Sequence, residues 1–174
     1  LVFSSPDMFF NAVSDLAQES PVIEDELQHH ASGCYSVHSG IKKLNRLAEN
    51  RLMVAEKISS LANLLLQYPY PEDFDRAWKN VLFNQFHDIL AATSIEPAYE
   101  DALYTYGESI SIADRNLNAA LQSISWKVNI EGDTHSLEDS KAVFVFNPHP
   151  WKISEIVEVE SSLRKDLQYE LVDA

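Results

Sequence analysis

Eight apolar residues, Ile41, Leu44, Ala48, Leu52, Ala55, Ile58, Ala62 and Leu65, recur at spacings of three and four. That period matches the α-helical turn and puts all eight on one stripe of a single long helix. A helix with one apolar stripe must bury it against something, and the chain supplies its own partners. The two prolines of QYPYPED end the first helix, because proline lacks an N–H donor and disfavours helix in the residue before it. Pro71, Glu72 and Asp73 suit the opening of a second helix, with Phe74, Trp78, Val81, Leu82, Gln85 and Ile89 following on one side. A third helix is predicted to start near Ser94 with Pro97 in its first turn. Its stripe is Ile95, Tyr99, Leu103, Tyr106, Ile110, Ala113, Leu117, Leu121 and Ile124. Three helices with one stripe each, joined by short connections, predict a three-helix bundle.

The flanks differ. SSPDMFFNAVSDLAQES reads as a short N-terminal helix, with Ser5 as N-cap, Pro6 at the first helical position and Asp7 against the positive end of the dipole. Residues 20 to 40 are irregular, with two glycines and three histidines. Beyond about residue 130 the period changes: EGDTHSLEDS is a polar loop, KAVFVFNPHPW an apolar strand stopped by Asn147-Pro148, and EIVEVE an alternating, half-buried strand. The expected fold class is therefore mainly α: a three-helix bundle flanked by a short N-terminal helix and the opening strands of a β domain. The expected divisions are 1–28, 29–130 and 131–174.

Charge narrows the partners. Against 13 basic residues stand 27 acidic ones, a formal charge of −14, which repels phosphate backbones and anionic lipid surfaces. Nucleic acid and membrane are thus excluded as expected partners, and no apolar run approaches the roughly 18 to 20 residues a bilayer span needs. Cys34 is the only cysteine, so no disulfide framework is expected and a reducing compartment suits the chain. LVFSSPDMFF has no starting Met, basic region or small-residue cleavage site, so it is not expected to be a signal peptide. Both ends read as the interior of something longer, and the faces such a cut would expose leave room for a homo-oligomer.

Chemistry concentrates in NQFHDILAATSIEP, residues 84 to 97, where His87 and Asp88 stand side by side. If the second helix runs through residue 88, its apolar stripe spans roughly −20° to 80° and His87 falls near 220°, on the side of Asn80 and Phe83. A solvent face should not carry Phe83, so this side is expected to be covered by something other than the bundle. Taken alone, His87 reads as a helix C-terminal residue favourable to the dipole, with Asp88 an incidental neighbour, because one His-Asp pair has no metal-ligand spacing. His29 and His30 would point in opposite directions on an extended segment, and His38, His135 and His149 read as loop residues.

The wider run NQFHDILAATSIEPAYEDAL resembles the signature in the middle helical domain of the glycoside hydrolase family 38 α-mannosidases. Three other stretches agree in order and spacing. FSSPDMFFNAV looks like the last helix of that family's catalytic α/β domain, and ELQHHASGCYSVHSGIKKLNRLAENRLMVAEK like the entry into its bundle. VFVFNPHPWKISEIVEVE is similar to the start of its large β domain. The resemblance covers nearly the whole chain and is nearest to the bacterial and cytosolic branch, which implies a cytoplasmic protein. One departure stands out: Ala91-Ala92 occupies the place where the family usually has Pro-Gly.

The resemblance implies that His87 is one of four ligands of an active-site zinc ion held by two His and two Asp. Zinc accepts that mixture of imidazole and carboxylate. It implies that Asp88 accepts hydrogen bonds from mannose hydroxyls, and that Phe83 packs against the catalytic domain. Tyr35 matches a family tyrosine near the domain junction. The implied parent is a retaining enzyme that hydrolyses terminal α-D-mannosyl residues of oligosaccharides with two carboxylates roughly 5 to 5.5 Å apart. Those carboxylates and the other three ligands would lie in the rest of the same polypeptide, since none of the acidic residues here matches them. Glu24, Asp25 and Glu26 read as a solvated loop, and Glu155, Glu158 and Glu160 as a strand edge. The chain alone is expected to be inactive and to hold zinc weakly. The alternative is a non-enzymatic helical-bundle protein-interaction module.

Overall fold

A computed structural model describes residues 3–27, 29–129 and 143–157, with only the backbone of His29 and His30. The chain divides into two compact units, Leu1–Cys34 and Tyr35–Ala174.

In the first unit, helix α1 spans Pro6–Ala17, and the Ser5 hydroxyl accepts the Met8 N–H at 3.3 Å. The N-cap, the proline and the first-turn Asp7 stand where the sequence puts them. No residue of α1 is buried within its unit, and the Phe9 and Phe10 rings meet edge to face. A 3₁₀ stretch, His29–Tyr35, kinked at Ala31, follows and ends on the first residue of the second unit, where a loop or a short extended piece was expected.

The second unit is a helical bundle. Helix α2 spans Ser39–Leu66, α3 Phe74–Asn84, the short α4 His87–Leu90 and α5 Glu96–Ser125. At 28 and 30 residues, α2 and α5 are roughly 42 and 45 Å long, and they form the main pair along which α3 lies. Small residues sit on the buried lines: Ala48, Ala55 and Ala62 of α2, Ala77 of α3, and Ala102, Ala113 and Ala120 of α5. They let backbones approach, while Leu52, Val81, Tyr106 and Ile112 fill the space between. The expected stripes are therefore largely the observed core. Leu65, Leu82, Ile95 and Leu103 are exceptions and face outward.

Two expectations need correction. The second helix does not run through residue 88: Phe86, with φ −51° and ψ 136°, interrupts the ladder, and α4 begins afresh at His87. The angular position worked out for His87 on a continuous helix therefore does not apply. The third helix starts at Glu96, near Ser94 as expected, with Pro97 in its first turn. The strands of a β domain are not formed within residues 143–157. A ladder needs a second strand to exchange hydrogen bonds with, and these residues have none among the described ones. What forms there is local, an Asx turn in which Asn147 Oδ1 accepts the His149 N–H at 3.0 Å. The remainder of EIVEVE and residues 161–174 lie outside the described residues, as does the polar loop with His135.

One buried polar group is sensitive to pH. Burial, and secondarily the Glu49 carboxylate, pushes the Tyr106 hydroxyl up from 10 to about 12, and it donates to Asn45 Oδ1 at 3.0 Å. The folded state favours the neutral phenol, so this stability is fully present below pH 10 and is lost as the pH rises from 10 through about 12. Urea titrations across that window should show a loss on the order of 2 kcal/mol, and Tyr106→Phe should flatten it.

Candidate functional site

The segment from Asn84 to Ser94 is anchored by its polar residues. Asn84, at the end of α3, is buried, and its Nδ2 donates to Thr105 Oγ1 of α5 at 2.7 Å. Gln85 Nε2 reaches the other way, to Glu49 Oε1 of α2 at 2.8 Å and Asn45 Oδ1 at 3.3 Å. Consecutive amides thus tie the end of α3 to both long helices. The helix breaks at Phe86, and its ring tilts against His87 with centroids 4.3 Å apart.

His87 is the first residue of α4, not the last of α3, so the benefit of a cation at a helix C-terminus is absent. Its side chain is 80% exposed and Nε2 lies 3.4 Å from Asp88 Oδ1. Asp88 is half-exposed, and Oδ1 also accepts the Thr93 hydroxyl at 3.0 Å. Sequence proximity thus becomes real proximity, with both polar ends facing water.

Four residues are too few to hold a helix by themselves. Helix α4 is closed by a Schellman motif: the Thr93 N–H donates to Asp88 O at 3.0 Å and the Ala92 N–H to Ile89 O at 3.2 Å. The motif needs a left-handed residue, and Ala92 takes it at φ 63°. The chain therefore makes the turn despite Ala91-Ala92, at a cost in backbone strain. Ala92→Gly should relieve about 1 to 2 kcal/mol of that strain, offset by up to about 1 kcal/mol of glycine's extra unfolded-state entropy. Denaturant unfolding should show a net gain of roughly 0.5 to 1 kcal/mol.

Two further residues grip the turn. Lys42 Nζ of α2 donates to Leu90 O at 2.6 Å and Val37 O at 2.5 Å. Tyr99 of α5 donates its hydroxyl to Asp88 O at 3.2 Å, and its ring stacks on His38 at 4.3 Å. Sequence reasoning had Gln85 and Tyr99 only as stripe residues and did not single out Asn84 or Lys42. The available signal was polarity on an apolar line: an amide or a phenol at a buried position needs a partner.

Beside His87 lies a shallow depression lined by Leu82, Phe83, Gln85 and Phe86, with Phe83 78% exposed. It is mainly apolar, not the oxygen- and nitrogen-lined hollow an active site on this face would offer by itself. Among the described residues no group of three or more His, Cys, Asp or Glu could hold a metal ion. For zinc, the donor types of His87 and Asp88 fit and the imidazole is accessible, but a closed site needs about four ligands, so further ligands would have to come from elsewhere. His38 is taken up by its stack on Tyr99, and His149 stacks on Trp151 at 4.8 Å. Tyr35 is exposed at the end of the 3₁₀ stretch, and residues 24 to 26 are exposed, as a solvated loop should be. No described helix is long and apolar enough to cross a membrane.

Comparison with known proteins bears on this bundle directly. The family model described as alpha mannosidase middle domain matches residues 29–124. Alpha-mannosidase 2C1 of Mus musculus is 30% identical over 88% of this chain and 14% of its own length. The human protein of the same name is also 30% identical, with the same coverage. Alpha-mannosidase G of Dictyostelium discoideum is 25% identical over 99% of this chain and 17% of its own length. The chain thus spans about a seventh of the length of the curated relatives it matches. No solved structure matches it. With the family model covering more than half of the chain and the bundle it describes seen in the structure, the chain belongs to the glycoside hydrolase family 38 α-mannosidases, through their middle helical domain.

Proposed function

We propose that this chain is part of a retaining, zinc-dependent α-mannosidase that hydrolyses terminal α-D-mannosyl residues of oligosaccharides. In this reading His87 is one zinc ligand and Asp88 accepts hydrogen bonds from mannose hydroxyls. The observation that carries it is the presentation of the pair: an exposed imidazole and a half-exposed carboxylate on a turn pinned to α2 and α5. The relatives' names as alpha-mannosidases support the same reaction.

When bound, the zinc ion would act as a Lewis acid that holds substrate oxygens. The chain's own part is to hold an imidazole still, to offer the Asp88 carboxylate to sugar hydroxyls, and to meet the rest of the polypeptide through Leu82, Phe83 and Phe86. The nucleophilic and acid/base carboxylates, and the other three ligands, would come from that remaining polypeptide, so the 174 residues alone would be inactive. A surplus of 14 negative charges suits a neutral sugar better than a phosphorylated ligand, and a lone cysteine with no disulfide suits the cytoplasm.

The exposed apolar depression also fits the second reading, a non-enzymatic interaction module, for which the patch itself would be the working surface. The two separate on one assay. The full-length polypeptide should cleave a chromogenic α-mannoside, lose activity to background on chelation, and regain it with zinc. Absence of activity with the metal restored would leave the interaction module ahead.

A further inference from the structure

We infer that Tyr99 is a positioning residue for the metal-ligating turn, acting through the backbone of Asp88 and Ser94 and not through contact with metal or sugar. The inference rests on the reading of His87 given above and deepens it. One phenolic oxygen joins the two ends of the turn: it donates to Asp88 O at 3.2 Å and accepts the Ser94 N–H at 2.9 Å. Asp88 O is the same carbonyl that takes the Thr93 N–H in the Schellman motif, so the closing carbonyl of α4 is held both from the turn and from α5. The ring is 4% exposed and stacked within 9° of parallel on His38, so the hydroxyl has little freedom to move. It stands on the first turn of α5, the helix that also receives Asn84.

A core tyrosine needs one partner for its hydroxyl, and a chance partner would serve. Here both partners belong to the loop that carries His87 and Asp88, and they bracket it. A ligand must be held within about 0.5 Å of its productive geometry, which neither a four-residue helix nor a strained Ala92 secures alone. Residues that orient metal ligands typically affect metal affinity 10- to 100-fold. Because Tyr99 acts through main chain, the lower end, about tenfold, is expected.

Tyr99→Phe keeps the ring, its burial and its stack, and removes the hydroxyl alone. The control is Ser109→Ala, which deletes another buried hydroxyl of α5, bonded to Ala77 O at 3.0 Å and far along the helix from the turn. Both variants and His87→Ala would be made in the full-length polypeptide. Zinc affinity would be measured by chelator competition, and amide exchange at Thr93 and Ser94 in the metal-free protein. Tyr99→Phe should weaken zinc about tenfold and speed exchange at both amides by a similar factor, while Ser109→Ala leaves both unchanged. Unchanged zinc affinity in Tyr99→Phe, with the metal lost in His87→Ala, overturns the inference even if the variant melts lower. Zinc retained by His87→Ala sinks the ligand reading separately. In that case unaltered exchange at the turn would overturn the role of Tyr99 as well.

Discussion

His87→Ala in the full-length polypeptide should lower kcat/KM for an α-mannoside by more than about a hundredfold, above the range seen when only a supporting partner of a ligand is lost. In the metal-free protein the same substitution should leave thermal stability nearly unchanged. With its side chain 80% exposed, the imidazole fills no cavity, and substitutions at such positions shift stability by about 0.5 kcal/mol or less. Its ring contact with Phe86 is at the surface, and a cationic imidazole at the first residue of α4 would face the wrong end of that dipole. Large loss of function with intact folding is the pattern of a ligand. Full activity in the variant would return His87 to the role of a turn residue, and a loss of stability in the metal-free protein as well would point to a structural one. Zinc content measured on the same samples separates loss of the ion from loss of geometry around it.

The apolar depression beside His87 gives this prediction its context. Leu82, Phe83 and Phe86 are all more than half exposed, an arrangement water does not favour. Phe83 prompted the expectation of a covered face, and the structure leaves that residue bare within the bundle itself. The break at Phe86 explains how α3 and α4 share the load: α3 buries Val81 and Asn84, and α4 buries Ile89, with the exposed aromatic rings between them.

What was legible in the sequence follows from what a period can carry. The stripe of α2 is repeated often enough for one error to matter little, and Ile41, Ala48, Leu52, Ala55, Ile58 and Ala62 are all buried. Ser5, Pro6 and Asp7 announced α1 through cap chemistry, which is local. The break at Phe86 left no such mark, since no proline or glycine stands there, and the bonds that anchor Gln85 beside it reach a helix 36 to 40 residues away. The strands were misjudged within 143–157 for a related reason: alternation describes a surface, but pairing requires another segment. His87 and Asp88 drew attention as a dipeptide, yet the weight on them came from resemblance to a family, because their spacing alone fits no metal site. Tyr99 and Lys42 were readable only as an aromatic and a cation, since their partners are carbonyl groups, which every residue has.

The sharpest test of that difference between pattern and packing pairs two leucines of one stripe. Leu52 and Leu65 were both counted in the stripe of α2 but stand at its opposite edges, about 140° apart; Leu52 is 0% exposed in the core and Leu65 is 66% exposed near the helix end. Leu52→Ala removes three buried carbons between α2 and its neighbours, and rigid helices lined with alanine have little room to close the gap. The expected cost is about 3 kcal/mol, a large part of the roughly 5 to 15 kcal/mol that holds a domain together. Leu65→Ala should cost less than about 0.5 kcal/mol, and alanine's higher helix propensity offsets part of even that. Urea midpoints at constant slope would measure both. Equal losses at the two sites would mean that the outer end of α2 is covered after all, and that the stripe, not the observed burial, describes the core. A small loss at Leu52 would mean that α2 and α5 can slide together over the missing side chain, which their alanine-lined contact would then have to permit.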